Sequence, residues 1–191
     1  FGDGKEESCG YARDAVSRLL RGENVDFYLA MSLDGISVLN DLAGGVTVTL
    51  EDDFSAADPA MTKGATLTLQ GDQAEIFVRR RMNIGEGTNE ARMVRQEEYL
   101  AQLSAQLESR VQQDQQFTAQ VYDALQPYLV TDLAKGQLVN EVWAAKDDTV
   151  EPAIALEGEH KVAEDGFTEF YPTEASIQKA VLTLFWEPVE E

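Results

Sequence analysis

The sequence is short of the residues on which common catalytic and structural devices depend. Its single cysteine, Cys9, excludes an internal disulfide and any clustered-cysteine metal site, and reads as a small buried residue rather than a nucleophile. Its single histidine, His160, leaves little for a Ser-His-Asp relay or a histidine-rich zinc site. It stands in Glu157-Gly158-Glu159-His160-Lys161, which reads as a solvated turn. Positive charge is scarce: 15 Lys+Arg face 35 Asp+Glu, a net charge of −20. That balance argues against a general nucleic-acid binder, which needs a basic footprint, and against adhesion of the whole surface to anionic lipid. One local anion site remains compatible with it. No apolar run of about 18 residues is present to span a membrane, and no signal peptide is visible. The sequence opens on Phe1-Gly2-Asp3-Gly4 without an initiator Met. It therefore reads as a loop-like start to a piece of a longer protein, and missing targeting signals carry no weight.

What is present supports a packed domain. A hydrophobic share of 43% in 191 residues is enough for a sizeable core. Helical spacing predicts helices over 8–20, with Ser8 as cap, and over a short stretch opened by Asp34 and ended by Gly44-Gly45. Another short helix starts at Asp72, and the longest helix runs over 89–110, with Met93, Leu100, Leu103, Leu107 and Val111 as its apolar stripe. Two further helices are predicted over 117–129 and 131–145. A last one, opened by Pro172 in its first turn, runs through Phe185. Residues 27–31, 46–50, 66–69 and 156–162 read as strands, and the tail 186–191 is short and acidic. The expected architecture is an α/β sandwich, a mixed central sheet between helices, in a single domain over 1–191.

The arginines are unevenly placed. Arg79, Arg80, Arg81, Arg92 and Arg95 lie within seventeen positions, five of the nine in the chain, beside only Glu86 and Glu90. A chain of −20 thus holds a segment of +3, built from the side chain suited to bidentate phosphate or carboxylate recognition. If 79–81 is extended or a turn, Arg79 and Arg81 point the same way and Arg80 points opposite, a solvated residue. Arg92 and Arg95 share a face near the start of the long helix, where free N–H groups and the dipole favour an anion. Gln96 lies at the edge of the apolar stripe. Two readings stay open: a pyrophosphate site, or ion pairs with the abundant surface carboxylates. Asp41 is either a turn residue or a ligand, and Gly44-Gly45 allows either a tight turn or close approach of a ligand to backbone. The run Glu51-Asp52-Asp53 either binds a divalent cation or is solvated.

Three ordered blocks resemble the LytR-CpsA-Psr family. The first is the strand Phe27-Tyr28-Leu29-Ala30-Met31 followed by Asp41-Leu42-Ala43-Gly44-Gly45-Val46, similar to the family's D-x-x-G-G-V. The second runs from Leu69-Gln70-Gly71-Asp72-Gln73-Ala74 through Phe77-Val78-Arg79-Arg80-Arg81, similar to L-x-G-x-Q-A-x-x-Y-V-R-x-R, with Phe77 for Tyr. The third is Asn89-Glu90-Ala91-Arg92-Met93-Val94-Arg95-Gln96, similar to D-x-x-R-x-x-R-Q. The match is close over 1–107 and looser over 108–191.

The resemblance implies a phosphotransferase at the outer face of the cytoplasmic membrane of a Gram-positive type bacterium, held there by an N-terminal anchor outside this chain. Such enzymes move a glycopolymer (teichoic acid, capsule or similar) from a polyprenyl-pyrophosphate carrier to peptidoglycan, with the polyprenyl tail in an apolar tunnel. Carried over by position, Arg79, Arg81, Arg92 and Arg95 are the expected catalytic phosphate contacts, with Gln96 and Asp41 expected to bind substrate. Two departures stand out. Asn89 replaces the family's Asp. The family's R-x-D segment, whose Asp helps bind magnesium, and its P-R-D turn do not occur ahead of the matched blocks. The chain is therefore expected to lack the first strands, with Mg2+ ligands outside it. The alternatives are a noncatalytic binder of polyprenyl phosphate or another anionic lipid, and a regulatory scaffold. Direct nucleic-acid binding is not expected.

Overall fold

The computed structural model describes residues 4–148 and 154–186. In chain order its elements are α1 (Glu6–Leu19), β1 (Leu29–Met31), α2 (Asp34–Ala43), β2 (Thr47–Thr49), β3 (Thr66–Thr68), α3 (Asp72–Arg79), α4 (Asn89–Gln113) and α5 (Phe117–Leu125). After one 3-10 turn (Gln126–Tyr128) come β4 (Leu129–Thr131), α6 (Lys135–Ala144), β5 (Gly158–Val162), β6 (Thr168–Pro172) and α7 (Glu174–Phe185). This is the mixed α/β class the sequence leads one to expect. Among the described residues the strands pair as three two-stranded antiparallel sheets, β1 with β4, β2 with β3 and β5 with β6, where the sequence suggested one sheet. The expected loop at 1–3 and acidic tail at 187–191 lie outside the described residues.

The chain divides into two compact units. The larger, Leu29–Asp147, is organised on the β2–β3 ribbon. Val48 faces Leu67 across it, while the Thr47–Thr68 and Thr49–Thr66 pairs lie on the exposed face. Each threonine pair shares a hydroxyl hydrogen bond of 2.8 Å. The alternation is the period-2 pattern of a half-buried ribbon. Its inner face meets α2, α3 and α4 in a core containing Val46, Leu50, Phe54, Met61, Leu69, Phe77 and Tyr99.

Two glycines let α2 turn into β2. Gly44 caps the helix in the left-handed region at φ 101°, a conformation natural to glycine. Gly45 (φ 85°) passes so close to the segment after β3 that a Cβ there would lie 2.3 Å from Gln70 Nε2 and 2.7 Å from the Leu69 carbonyl. The close approach is therefore to the protein's own chain.

The apolar stripe of α4 differs from the sequence pattern. Met93 and Leu100 are exposed, at 50% and 57%. The buried positions are Arg95, Tyr99, Leu103 and Val111. Counting only aliphatic residues missed that an arginine and a tyrosine with partners occupy the same face. Further on, Pro127 has no N–H to continue α5, so that helix ends at Leu125 and the chain passes into β4. The next helix begins at Lys135, not at 131.

The smaller unit holds α1, the β5–β6 hairpin and α7. Ser8 lies inside α1, and its hydroxyl accepts from Gly4 N at 2.8 Å. Cys9 is free and half-buried. His160 is a strand residue of β5, not a turn residue, with its ring 5.0 Å from Phe170 of β6. Pro172 ends β6, and Thr173 caps α7 by accepting from Ser176 N at 3.2 Å.

Candidate functional site

The arginine segment sits where the end of α3 meets the start of α4. Thr88 caps α4, its hydroxyl accepting from Ala91 N at 3.1 Å. The last carbonyls of a helix have no partner within it, and α4 supplies partners for those of α3. Gln96 Nε2 donates to the Val78 carbonyl at 2.9 Å, and Arg95 Nη2 donates to the carbonyl of Arg80. A cation there also favours the α3 dipole.

Arg95 is 9% exposed. Its guanidinium lies 5.1 Å from the centre of the Phe54 ring, and Nη1 is 3.4 Å from Asp52 Oδ2. Burial lowers its pKa, with the Asp52 charge acting in the opposite direction and the Arg92 charge alongside burial. Arg95, expected to contact phosphate directly, is thus occupied in fastening α3 to α4. Gln96, expected to bind substrate, is likewise engaged with the Val78 carbonyl.

The other arginines are freer. Arg79, the last residue of α3 rather than part of an extended segment, pairs with Glu75 at 2.8 Å one helical turn away and is largely exposed. Arg80 and Arg81 are exposed. Arg92 donates through Nη2 to Asn89 Oδ1, so the neutral amide takes the place at which the family carries a carboxylate. The buried Nε atoms of Arg92 and Arg95 have no protein partner, and leaving such donors unpaired costs about 1–3 kcal/mol each. Arg79 and Arg81 flank Arg80, each about 3.8 Å from it along the chain. The Arg95–Arg80 bond thus brings the backbones of Arg79, Arg81, Arg92 and Arg95 to one corner.

Asp41 does not. Its Oδ1 accepts from Gly71 N at 2.8 Å and from Asn40 Nδ2 at 3.1 Å, at the beginning of α3. An eight-residue helix is about 12 Å long, which separates Asp41 from the arginines. The neighbouring Asn40 was not singled out by the sequence, yet it is fully buried with every polar position used. Its Nδ2 also donates to Leu69 O at 2.8 Å, and its Oδ1 accepts from Val46 N and from the Tyr99 hydroxyl, each at 3.2 Å. Burial, with the Asp41 charge second, pushes the Tyr99 phenol up to about 12.

The acidic run 51–53 is divided among different tasks. Asp52 faces Arg95, while Asp53 Oδ1 accepts from Ser55 N at 2.9 Å, a bond that holds its carboxyl below the usual range. Among the described residues no three His, Cys, Asp or Glu side chains gather to hold a metal ion.

A second feature lies further along α4. An apolar cavity of about 470 Å³ is lined by Leu107 and Val111 of α4, Phe117 and Val121 of α5, Leu138 and Val142 of α6, and residues of β1 and β4. Twelve residues of α-helix from Arg95 to Leu107 span about 18 Å. Fold and site together define an α/β protein in which one helix carries a cationic corner at its start and an apolar cavity further on.

The profile of the LytR_cpsA_psr family matches residues 9–184, and the chain belongs to that family. Among solved structures, protein gbs0355 from Streptococcus agalactiae is similar, with TM-score 0.71 and 22% identity over 90% of this chain and 61% of its own. B. subtilis TagV gives TM-score 0.63 and 18% identity, over 92% of this chain and 70% of its own. TagT bound to LI-WTA gives 0.65 and 18%, over 90% and 64%. At these identities the likeness establishes the fold, and the chain spans roughly 61–70% of the length of these proteins. No curated protein sequence matches it.

Proposed function

We propose that the protein to which this chain belongs is a cell-wall glycopolymer phosphotransferase, moving a polymer from a polyprenyl-pyrophosphate carrier to peptidoglycan at the outer face of the cytoplasmic membrane. The observation that carries this reading is the sharing of α4 between two unlike environments. The arginines at its start suit a pyrophosphate, and the cavity about 18 Å further along suits an apolar chain. The similarity to TagT, solved with LI-WTA, points the same way.

In this reading an acceptor hydroxyl of peptidoglycan attacks the phosphorus that bears the saccharide. The new O–P bond forms as the pyrophosphate O–P bond breaks. Polyprenyl phosphate leaves, and the hydroxyl proton passes to solvent. Such a transfer depends on alignment and charge neutralisation. Arg79, Arg81 and Arg92 bring guanidinium groups to the equatorial and leaving oxygens, and the unpaired Arg92 Nε gains an acceptor there. Arg95 and Gln96 hold the carbonyl ends of α3 so that those groups stay aimed. Among the described residues no three carboxylates gather to hold a magnesium ion, and the charge neutralisation within this chain falls to the arginines.

The test is a calorimetric titration of the full-length protein with farnesyl pyrophosphate, a short soluble stand-in, and with farnesol. The expected result is binding of the pyrophosphate that falls at least about tenfold in the Arg79→Ala, Arg92→Ala double variant, with farnesol binding retained. Equal pyrophosphate affinity in the variant and the parent protein would sink the site.

A further inference from the structure

Asp52 makes contacts that its acidic neighbours Glu51 and Asp53 do not. Its Oδ2 is 3.4 Å from Arg95 Nη1, long for a hydrogen bond but close for charge attraction. An arginine that is 9% exposed requires an opposing charge to stay buried, and among the described residues Asp52 alone is paired with it. The other Asp52 oxygen abuts the loop between α3 and α4. A Cβ at Gly85, whose φ is +47°, would lie 2.2 Å from Asp52 Oδ1, so the glycine backbone is seated on the carboxylate.

Arg95 in turn donates to the Arg80 carbonyl, between Arg79 and Arg81. The loop carrying Gly85 joins that segment to the start of α4, where Arg92 lies. Asp52 therefore touches both connections between the two arginine groups.

We infer that Asp52 is a positioning residue: by holding the Arg95 guanidinium and the Gly85 backbone together, it sets the Arg79–Arg81 segment relative to Arg92. Without the carboxylate charge, Arg95 gains by turning toward water, the Arg80 carbonyl loses its donor, and the loop 81–87 loosens. The functional weight of this rests on the pyrophosphate reading above, whereas the positioning itself does not.

The test uses the full-length protein with Asp52→Asn, which keeps the shape and removes the charge, and Asp52→Glu, which restores it. Amide exchange is followed at Ile84 and Gly87, whose N–H groups bond to Arg81 O and Ile84 O. The amides of Leu50 and Leu69, bonded to Ala65 O and Val46 O, serve as controls in the core ribbon. Inorganic pyrophosphate affinity is measured in parallel.

Asp52→Asn is expected to speed exchange at Ile84 and Gly87 about tenfold and to weaken pyrophosphate binding about tenfold. Leu50 and Leu69 stay unchanged, and Asp52→Glu recovers most of both effects. Unchanged exchange at Ile84 and Gly87 overturns the inference. So does a uniform acceleration that includes Leu50 and Leu69, which assigns Asp52 to general stability, and so does a failure of Glu to recover the loop. If exchange responds as expected but the parent protein binds no pyrophosphate, the positioning stands and the pyrophosphate reading falls.

Discussion

Arg95 on α4 donates to the carbonyl of Arg80, fifteen residues earlier and just past the end of α3. This bond marks Arg95 as a buried fastener, unlike the exposed Arg79, Arg80 and Arg81. Arg95→Ala removes a charged donor, uncovers Phe54 and strands Asp52. It should cost about 2–4 kcal/mol in urea unfolding. Arg79→Ala touches an exposed pair with Glu75 and should stay within about 0.5 kcal/mol. Similar costs for the two would remove the distinction.

Tyr99 gives the fold a pH dependence at the alkaline end. Its phenol is pushed up to about 12, from the ordinary value near 10 that it regains on unfolding. The neutral form is thus favoured in the native state. The associated stability is complete below about pH 10 and is lost as pH rises toward about 12. Tyr99→Phe should cost about 1 kcal/mol at pH 7 through the bond to Asn40, and should lose that part of the alkaline decline. An identical decline in both proteins between pH 10 and 12 would refute the assignment.

Two glycine substitutions should act in opposite directions. Gly45→Ala places a methyl against the Leu69 carbonyl at a positive φ, and should destabilise by about 2–4 kcal/mol. Gly136→Ala lies in α6, where a Cβ meets nothing within 4 Å. It should stabilise by about 0.5–1 kcal/mol. Thermal unfolding midpoints of the two variants check both signs.

The apolar cavity should be separable from the arginine corner. Val121→Trp places a large ring in the roughly 470 Å³ space, and should weaken farnesyl pyrophosphate about tenfold or more while leaving inorganic pyrophosphate affinity unchanged. Equal losses for both ligands, measured by calorimetry, would mean that cavity and corner are not separate subsites.

Some of this was legible in the sequence and some was not, for identifiable reasons. The helix centres and the strands β1, β2, β3 and β5 followed from periodicity, whereas β4 fell at the junction of two predicted helices and β6 was not foreseen. The α4 stripe did not follow from its aliphatic residues, because Arg95 and Tyr99 are buried by partners 43 and 59 positions away, Asp52 and Asn40. Such pairing has no local signature. For the same reason the sequence left Asp41 open between a turn residue and a ligand, where its carboxylate accepts from Gly71 N at the start of α3, and it carried no sign of Asn40, the better connected of the two. The hairpin partner of the 156–162 strand, β6, was not recognised because both strands are exposed along almost their whole length and carry no alternating buried face, which is also why the run around His160 read as a turn.

The most direct measurement of the proposed activity is transfer by the full-length protein of a labelled saccharide from a polyprenyl-pyrophosphate carrier to peptidoglycan. The expected result is label in the peptidoglycan with one polyprenyl phosphate released per saccharide, reduced by about a hundredfold or more in the Arg79→Ala, Arg92→Ala variant. Undiminished transfer by that variant, or no transfer by the parent protein with any of several polymers, would contradict it.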